Sequence, residues 1–381
     1  MTEDLPNPAL LPSGLSDVLP PEAAREAALV EAMLSVFAAH GYERVKPPLL
    51  EFEDSLLAGS GGAVADQTFR LMDPDSHRMM GVRADATPQV ARIAATRLAD
   101  VPRPLRLSYS GQALRMRGSQ LAPERQIAQA GIELIGPDCA EADAEVALLG
   151  VQALAAVGVT APSLDITLPT MAPALLDAAG VQGELRRRLA RALDRKDAAA
   201  VHALAAEAGP PAIGLTALLT AAGPADRALQ ALGEAELPPA ARAIADNAAA
   251  IVAAIRARAP ELRITLDPVE FRGLQYHVGV AFTLYGPGST GELARGGRYR
   301  SGEEAATGMT MYPDAVRRAA PVPPMPPRVF IPLGADLAVA AGLRTQGFIT
   351  VAALSPADTP QRLRCGHILR GTIAAPIEEN A

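Results

Sequence analysis

Two strand-like segments, Arg106 to Arg115 and Gln126 to Ile135, are separated by only ten residues, Met116 to Arg125, among them Gly118 and Pro123. A connection that short, punctuated by a glycine and a proline, joins neighbouring strands, and the segment reads as a long hairpin with a mobile loop. Side chains alternate across a strand, so Gln129 and Glu133, four apart, share one face of the second arm. A carboxylate facing the interior of a sheet is costly unless it is paired, so this face is either a polar ligand site or a solvated surface.

Around the hairpin the pattern changes between helical and extended. Glu22 to His40 carries Val30, Met33, Leu34 and Phe37 at helical spacing, and Gly41 stands where a left-handed residue ends a helix. Tyr42 to Val45 is short and extended before Pro47-Pro48, which forbids a helix. Thr68 to Met72 and His77 to Arg83 flank the turn Asp73-Pro74-Asp75-Ser76 as a second hairpin, and Thr87 to Leu98 is a helix with Pro88 in its first turn. Asp143 to Val157 is helical and Ser163 to Leu168 is a strand. From about residue 173 to 259 the composition shifts to Ala, Leu and Arg, with breaks at Gly209-Pro210-Pro211 and Gly223-Pro224, which predicts a helical insertion. Strands resume at Arg263 to Leu266 and Gln275 to Tyr285. A proline-rich linker follows Arg318, and the last residues hold a strand (Arg328 to Pro332), a helix (Leu337 to Arg344) and a strand (Phe348 to Ala353). The fold class is α+β, an antiparallel sheet flanked by helices, with one domain over residues 1–320 and a small α/β segment over 321–381.

Charge and cysteine content exclude several functions. Lys plus Arg is 35 against 42 for Asp plus Glu, a net charge of −7, so no global positive field draws a polyanion and a nucleic-acid partner is not expected. Cys139 and Cys365 are far apart, without the spacing of a disulfide framework or a zinc site. His40, His77, His202 and His367 show no ligand spacing, so no metal and no cofactor is assigned. The acidic start MTEDLPNPAL is unlike a secretory leader, and no apolar run reaches the roughly 18 residues that span a bilayer. A cytoplasmic protein without a membrane partner is the expectation.

Three clusters remain as carriers of chemistry. Arg83-Ala84-Asp85-Ala86-Thr87 places an arginine and a carboxylate at a helix N-terminus, where a polar ligand is favoured, though Asp85 or Thr87 as simple helix caps explains the same residues. The hairpin carries Arg115, Gln129 and Glu133. Arg272-Gly273-Leu274-Gln275-Tyr276-His277 is followed by Arg295-Gly296-Gly297-Arg298-Tyr299, in which a Gly-Gly pair beside arginines lets backbone approach an anion.

In this order the segments resemble the catalytic core of histidyl-tRNA synthetase, a class II aminoacyl-tRNA synthetase fold, over about residues 12 to 318. Gly14, Asp17, Leu19 and Pro20 are similar to its GxxDxLP opening, and Val45 to Glu51 to its motif 1, the dimer-forming strand. Arg83 to Thr87 resembles Arg-Pro-Glu-Gly-Thr with Asp85 for Glu; Gly111 to Arg115 and Gln126 to Gly136 resemble the two strands of motif 2; Arg272 to Tyr276 and Arg295 to Tyr299 resemble the two histidine-specific signatures. The resemblance implies that Asp85, Thr87 and Gln129 hold an amino acid's α-ammonium, Arg272 its carboxylate, and Glu133 with Tyr276 or His277 its imidazole, with Arg115 alongside. His277 stands where a second tyrosine is usual.

The ATP side departs from that pattern. Met116-Arg117-Gly118-Ser119 replaces His-Glu-Arg-Pro, exchanging a carboxylate for a base, and Tyr312-Pro313-Asp314-Ala315 replaces Gly-Val-Glu-Arg, so the phosphate-clamping arginine is gone. Loss of one such donor costs a few kcal/mol of transition-state stabilisation, so adenylation is expected to be lost. The tail after Pro327 is too short for an anticodon-binding domain. Together these features resemble the regulatory subunits of ATP phosphoribosyltransferase. That resemblance implies a non-catalytic chain that activates a short catalytic subunit, contributes to feedback inhibition by histidine, and self-associates through the motif 1 region. The alternative is an amino-acid-activating enzyme of the synthetase type.

Overall fold

The computed structural model describes residues 10–118, 123–270, 276–289 and 291–377. They fall into two compact units, Met1–Pro321 and Val322–Ala381. The first is built on a nine-stranded sheet whose order is Glu43–Arg44, Leu105–Leu114, Gln126–Ile135, Glu304–Met311, Ala294–Ser301, Ala281–Tyr285, Ser163–Thr167, Arg263–Asp267 and Gly223–Pro224. The expected hairpin supplies its second and third strands: Leu105–Leu114 pairs antiparallel with Gln126–Ile135, placing Leu107 opposite Glu133 and Gly111 opposite Gln129. Residues 119–122 of its connection lie outside the described residues.

Alternation along these strands sorts the first unit's two hydrophobic layers. Ala130, Ile132 and Leu134 face helices Glu22–Ala39 and Ala140–Ala156, where Met33, Phe37, Val146 and Leu154 are fully or almost fully buried. Truncating an aromatic such as Phe37 to alanine in this layer costs about 3–5 kcal/mol. Leu105, Leu107, Tyr109 and Ile135 face the other way, against Val90, Ala91 and Ala94 of helix Thr87–Thr96. Gln129 and Glu133 lie on this second face, so the helix and the hairpin together enclose them.

The other expected elements form at nearly the expected positions. Gly41 takes φ +82° after helix Glu22–Ala39, a conformation open to glycine without steric cost. The second hairpin, Phe69–Met72 with Met79–Val82, joins Leu50–Phe52 in a separate three-stranded sheet, and its turn is held by Asp73 Oδ2, which accepts from the Ser76 hydroxyl at 2.5 Å. Six helices fill the insertion between Met171 and Arg258, and their apolar faces merge with the first layer's core. The break at Gly223-Pro224 does more than interrupt helices: it forms the sheet's last strand, pairing with Thr265 and Leu266.

Two readings need correction, and one strand was missed. The strand expected from Gln275 begins only at Ala281, and the described residues before it form a turn that brings Tyr276 and His277 over the sheet. Gly296-Gly297 is mid-strand, in Ala294–Ser301; a side chain at 296 would meet the Phe282 ring, and one at 297 would meet His277. Strand Glu304–Met311, rich in Ala, Thr and Gly, carried too weak an apolar pattern to be read from sequence.

The second unit contains a four-stranded sheet of order Ile349–Ala352, Arg328–Ile331, His367–Arg370 and Ile373–Pro376, parallel except for its last strand. Helix Leu337–Thr345 packs Ala340 and Leu343 on Val329, Ile331 and Leu369. The strand–helix–strand expected here is present, and two further strands complete the sheet.

Candidate functional site

An open cavity of about 370 Å³ lies on the second face of the main sheet. Asp85, Thr87 and Pro88 reach it from the start of helix Thr87–Thr96, and Arg115, Arg117 and Gly118 from the connection after the hairpin's first strand. Tyr276, Glu292, Arg295, Thr310 and Tyr312 close the opposite side. Its charged lining is mixed: Arg115, Arg117 and Arg295 against Asp85, Glu124 and Glu292. That balance suits a zwitterion, each of whose charges needs an opposite partner to offset desolvation.

Behind this lining, on the same face, sits a closed polar group. Glu133 is fully buried, and neither of its carboxylate oxygens has a hydrogen-bond partner; the same holds for Gln129 Nε2 and the Tyr299 hydroxyl, both almost fully buried. Gln129 uses its other end, Oε1, to accept the Ala86 N–H at 3.1 Å, which ties the helix start to the sheet. The Tyr109 hydroxyl bonds Thr310 Oγ1 at 2.8 Å and Thr87 Oγ1 at 3.3 Å. Two glycines make room for this arrangement: a Cβ at 308, directly opposite Glu133 in the ladder, would overlap the carboxylate, and one at 131 would stand 2.5 Å from the Tyr109 hydroxyl.

Burial pushes the Glu133 carboxyl up to about 8, only partly offset by the nearby Thr87 and Tyr299 hydroxyls, and the negative charge of Asp85 adds to the rise. Burial and Arg295 bring the His277 imidazole down to about 4, so it is neutral at physiological pH. His277 stacks obliquely on Tyr276, ring centroids 4.2 Å apart, and Tyr276 meets the Tyr299 ring edge-on at 6.1 Å. The site thus offers an acid that holds its proton, an amide donor and a phenol, ringed by aromatic surface. A small planar heterocycle with both donor and acceptor nitrogens matches those groups.

Comparison with known proteins places the chain in a family. The histidyl-tRNA synthetase family model matches residues 14–316. Over 95% of the chain, and 94% of the relative, the sequence is 55% identical to an ATP phosphoribosyltransferase regulatory subunit from Paramagnetospirillum magneticum. Another from Gluconobacter oxydans is 50% identical over 98% of the chain and 99% of the relative. The chain belongs to the family of ATP phosphoribosyltransferase regulatory subunits. Its fold is that of an ATP phosphoribosyltransferase regulatory subunit/histidyl-tRNA synthetase from Bacillus halodurans, with a TM-score of 0.79 and 23% identity over 93% of this chain and 95% of that one. A chain of the ATP phosphoribosyl transferase (HisG:HisZ) complex from Thermotoga maritima also shares the fold, with a TM-score of 0.60 and 16% identity over 76% and 97%.

In this regulatory-subunit fold the residues singled out from sequence separate into three groups. Asp85, Thr87, Arg115 and Tyr276 line the cavity. Gln129, Glu133 and His277 do not line it; the first two are enclosed on the same face and the third packs over Gly297. Arg272 lies outside the described residues. Capping turns out to be part of the role of Asp85, whose Oδ1 accepts the Thr87 N–H at 3.0 Å while its side chain still borders the cavity. Arg83, next to it, is buried structure: it donates to Gln112 O at 2.6 Å, Pro47 O at 3.3 Å and Gln89 Oε1 at 3.3 Å.

Thr310 and Glu292 were missed as site residues, and Arg295 and Tyr312, both named from sequence, were given no role in the site. For Arg295 the signal was strand alternation: 295, 297 and 299 share the site face, while Arg298 points to the opposite face and into an ion pair with Asp143. Ala315, at the position aligned with the phosphate-clamping arginine, is half-buried against the first layer's core, and Tyr312 is the residue of that segment at the cavity.

Proposed function

We propose that this chain acts as the non-catalytic subunit of a hetero-oligomeric ATP phosphoribosyltransferase, binding a short catalytic chain, activating it, and mediating feedback inhibition by histidine bound in the cavity described above. The family membership supports the first part. The buried Glu133, Gln129 and Tyr299 beside a charge-balanced cavity support the second, and this is the observation that carries the histidine reading. Arg117 and Tyr312 at the cavity, with no arginine at 315, support the absence of amino-acid activation.

Self-association through the motif 1 region belongs to the same proposal. Leu49 and Leu50 of that segment are half exposed, and Leu71, on the same face of the three-stranded sheet as Leu50, extends the apolar surface. Exposed apolar area of this kind is characteristic of a contact surface. Leu50→Glu with Leu71→Glu is expected to convert a dimer to monomer at micromolar concentration in sedimentation equilibrium. A wild-type chain that sediments as a monomer without partner would refute the homodimer.

The decisive experiment is reconstitution. The tagged chain is used to capture partners from its native cell extract, and the eluate is assayed for phosphoribosyl-ATP formation with and without histidine. Recovery of a short phosphoribosyltransferase whose activity depends on this chain is the expected result. Histidine-dependent exchange of pyrophosphate into ATP by the chain alone would instead establish an amino-acid-activating enzyme.

A further inference from the structure

The closed polar group of Glu133 has a property that the assignment of a histidine site leaves open, namely the protonation state in which it receives its ligand. Both carboxylate oxygens are buried without a hydrogen bond, and the missing side chain of Gly308 leaves the room the carboxylate occupies. The titratable groups around it come from every packed element: Tyr109 from the first arm of the hairpin, Tyr299 from strand Ala294–Ser301, Asp85 from the turn before helix Thr87–Thr96, Tyr276 from the turn over the sheet, and Tyr42 more remotely. Asp85 is the charged group with the strongest influence among them, and it pushes the Glu133 carboxyl further up. Among the described residues a carboxylate in that setting has no cation beside it and only the Thr87, Tyr299 and Tyr109 hydroxyls to offset its burial, whereas a carboxylic acid can donate to a ring nitrogen.

We propose that Glu133 meets histidine as a carboxylic acid and that the bound carboxyl–imidazole pair holds one shared proton, so that the site selects the one-proton state of the pair. This rests on reading the cavity as a histidine site. The proton balance is explicit. Between the free imidazole value of about 6.5 and the Glu133 value of about 8, neutral ring and protonated carboxyl combine with no exchange of protons with solvent. Below that window the free ring carries a second proton that must be released on binding. Above it the carboxyl has lost its proton, and one must be taken up.

The test is calorimetric titration of the full-length chain with L-histidine from pH 5.5 to 9, in two buffers of different ionisation enthalpy, for the wild type and Glu133→Gln. The expected affinity is bell-shaped, falling about tenfold one unit outside either edge, with proton release approaching one at pH 5.5 and uptake approaching one at pH 9. In Glu133→Gln the alkaline fall and proton uptake due to the carboxyl vanish, leaving only those of the ligand's own α-ammonium, which subtraction of the variant's profile removes. Wild-type affinity that is flat from pH 7 to 9, without excess uptake over the variant, would overturn the shared proton while leaving the histidine site intact. Absence of histidine binding at every pH would overturn the site reading and the inference together.

Discussion

Two buried carboxylates, on opposite sides of the same sheet, are treated in opposite ways. Asp143, on helix Ala140–Ala156, receives Arg298 Nη2 at 2.9 Å, Arg298 Nε at 3.2 Å and the Thr307 hydroxyl at 2.5 Å. Glu133 receives no hydrogen bond. The partners sit side by side in the same ladder: Arg298 opposes Thr307, and the next rung, facing the other way, is Gly297 opposite Gly308. One rung spends two long polar side chains on fixing the sheet to its helix, and its neighbour spends none, leaving space and an unpartnered acid. A saturated network is scaffold, whereas a fully buried, unsaturated one stores a desolvation cost that a ligand can relieve.

The strongest challenge to that contrast is Asp143→Ala. It leaves the Arg298 guanidinium, 7% exposed, with the largely exposed Asp138 and the Cys139 and Pro137 carbonyls as partners. Breaking a buried pair by removing one member typically costs about 3–5 kcal/mol, so a loss of about 3 kcal/mol in urea unfolding is expected. A loss below about 1 kcal/mol would mean that Asp138 alone suffices and that the helix-side network is not the scaffold argued here.

The matching experiment on the other face reverses the sign. A carboxyl whose value is raised by folding, here from 4.5 to about 8, stabilises the folded state least at high pH: its penalty is absent below about 4.5 and grows until the pH passes 8. Ligand-free wild type should therefore lose stability between pH 6 and 9, by about 2–3 kcal/mol from this group alone. Glu133→Gln, which never ionises, should lose that slope and be the more stable protein at pH 9. Parallel pH profiles for the two proteins in thermal unfolding would show that Glu133 finds a partner in the folded chain.

Gly308→Ala comes next. Its Cβ must displace the Glu133 carboxylate, an overpacking that costs about 1–3 kcal/mol, and histidine binding should weaken at least tenfold because the acid is moved from its place. Gly297→Ala is not an equivalent control, since φ +153° strains any side chain there and the Cβ meets His277.

Much of this contrast was legible before the structure, and the rest was not, for definite reasons. The hairpin, the helices packed on it and the shared face of Gln129 and Glu133 follow from spacing alone, because alternation and helical period are local properties. That Arg83 ties loops together while Asp85 borders the cavity depends on where Gln112 and Pro47 come to lie, which is long-range information. Gly131 and Gly308 gave no local sign of their role, because a missing side chain matters only through what occupies its place: the Tyr109 ring and the Glu133 carboxylate. Arg295 and Arg298 looked alike in sequence, and only the ladder register assigned one to the site and the other to the scaffold.

The finest discrimination comes from removing a single hydroxyl on each face. Thr307 Oγ1 donates to Asp143, so Thr307→Val deletes one arm of a saturated network and should cost about 1–2 kcal/mol, as expected for a hydrogen bond to a buried charged group. The Tyr299 hydroxyl is equally buried but has no hydrogen-bond partner, so Tyr299→Phe removes an unsatisfied group and should leave stability within about 0.5 kcal/mol of wild type, or raise it. Its effect should appear only when histidine is present, as a several-fold weaker affinity in calorimetry, because the hydroxyl then has a partner to lose. If Tyr299→Phe destabilises the ligand-free chain as much as Thr307→Val does, the two faces are equally satisfied without ligand. The polar group around Glu133 would then be scaffold like its counterpart at Asp143.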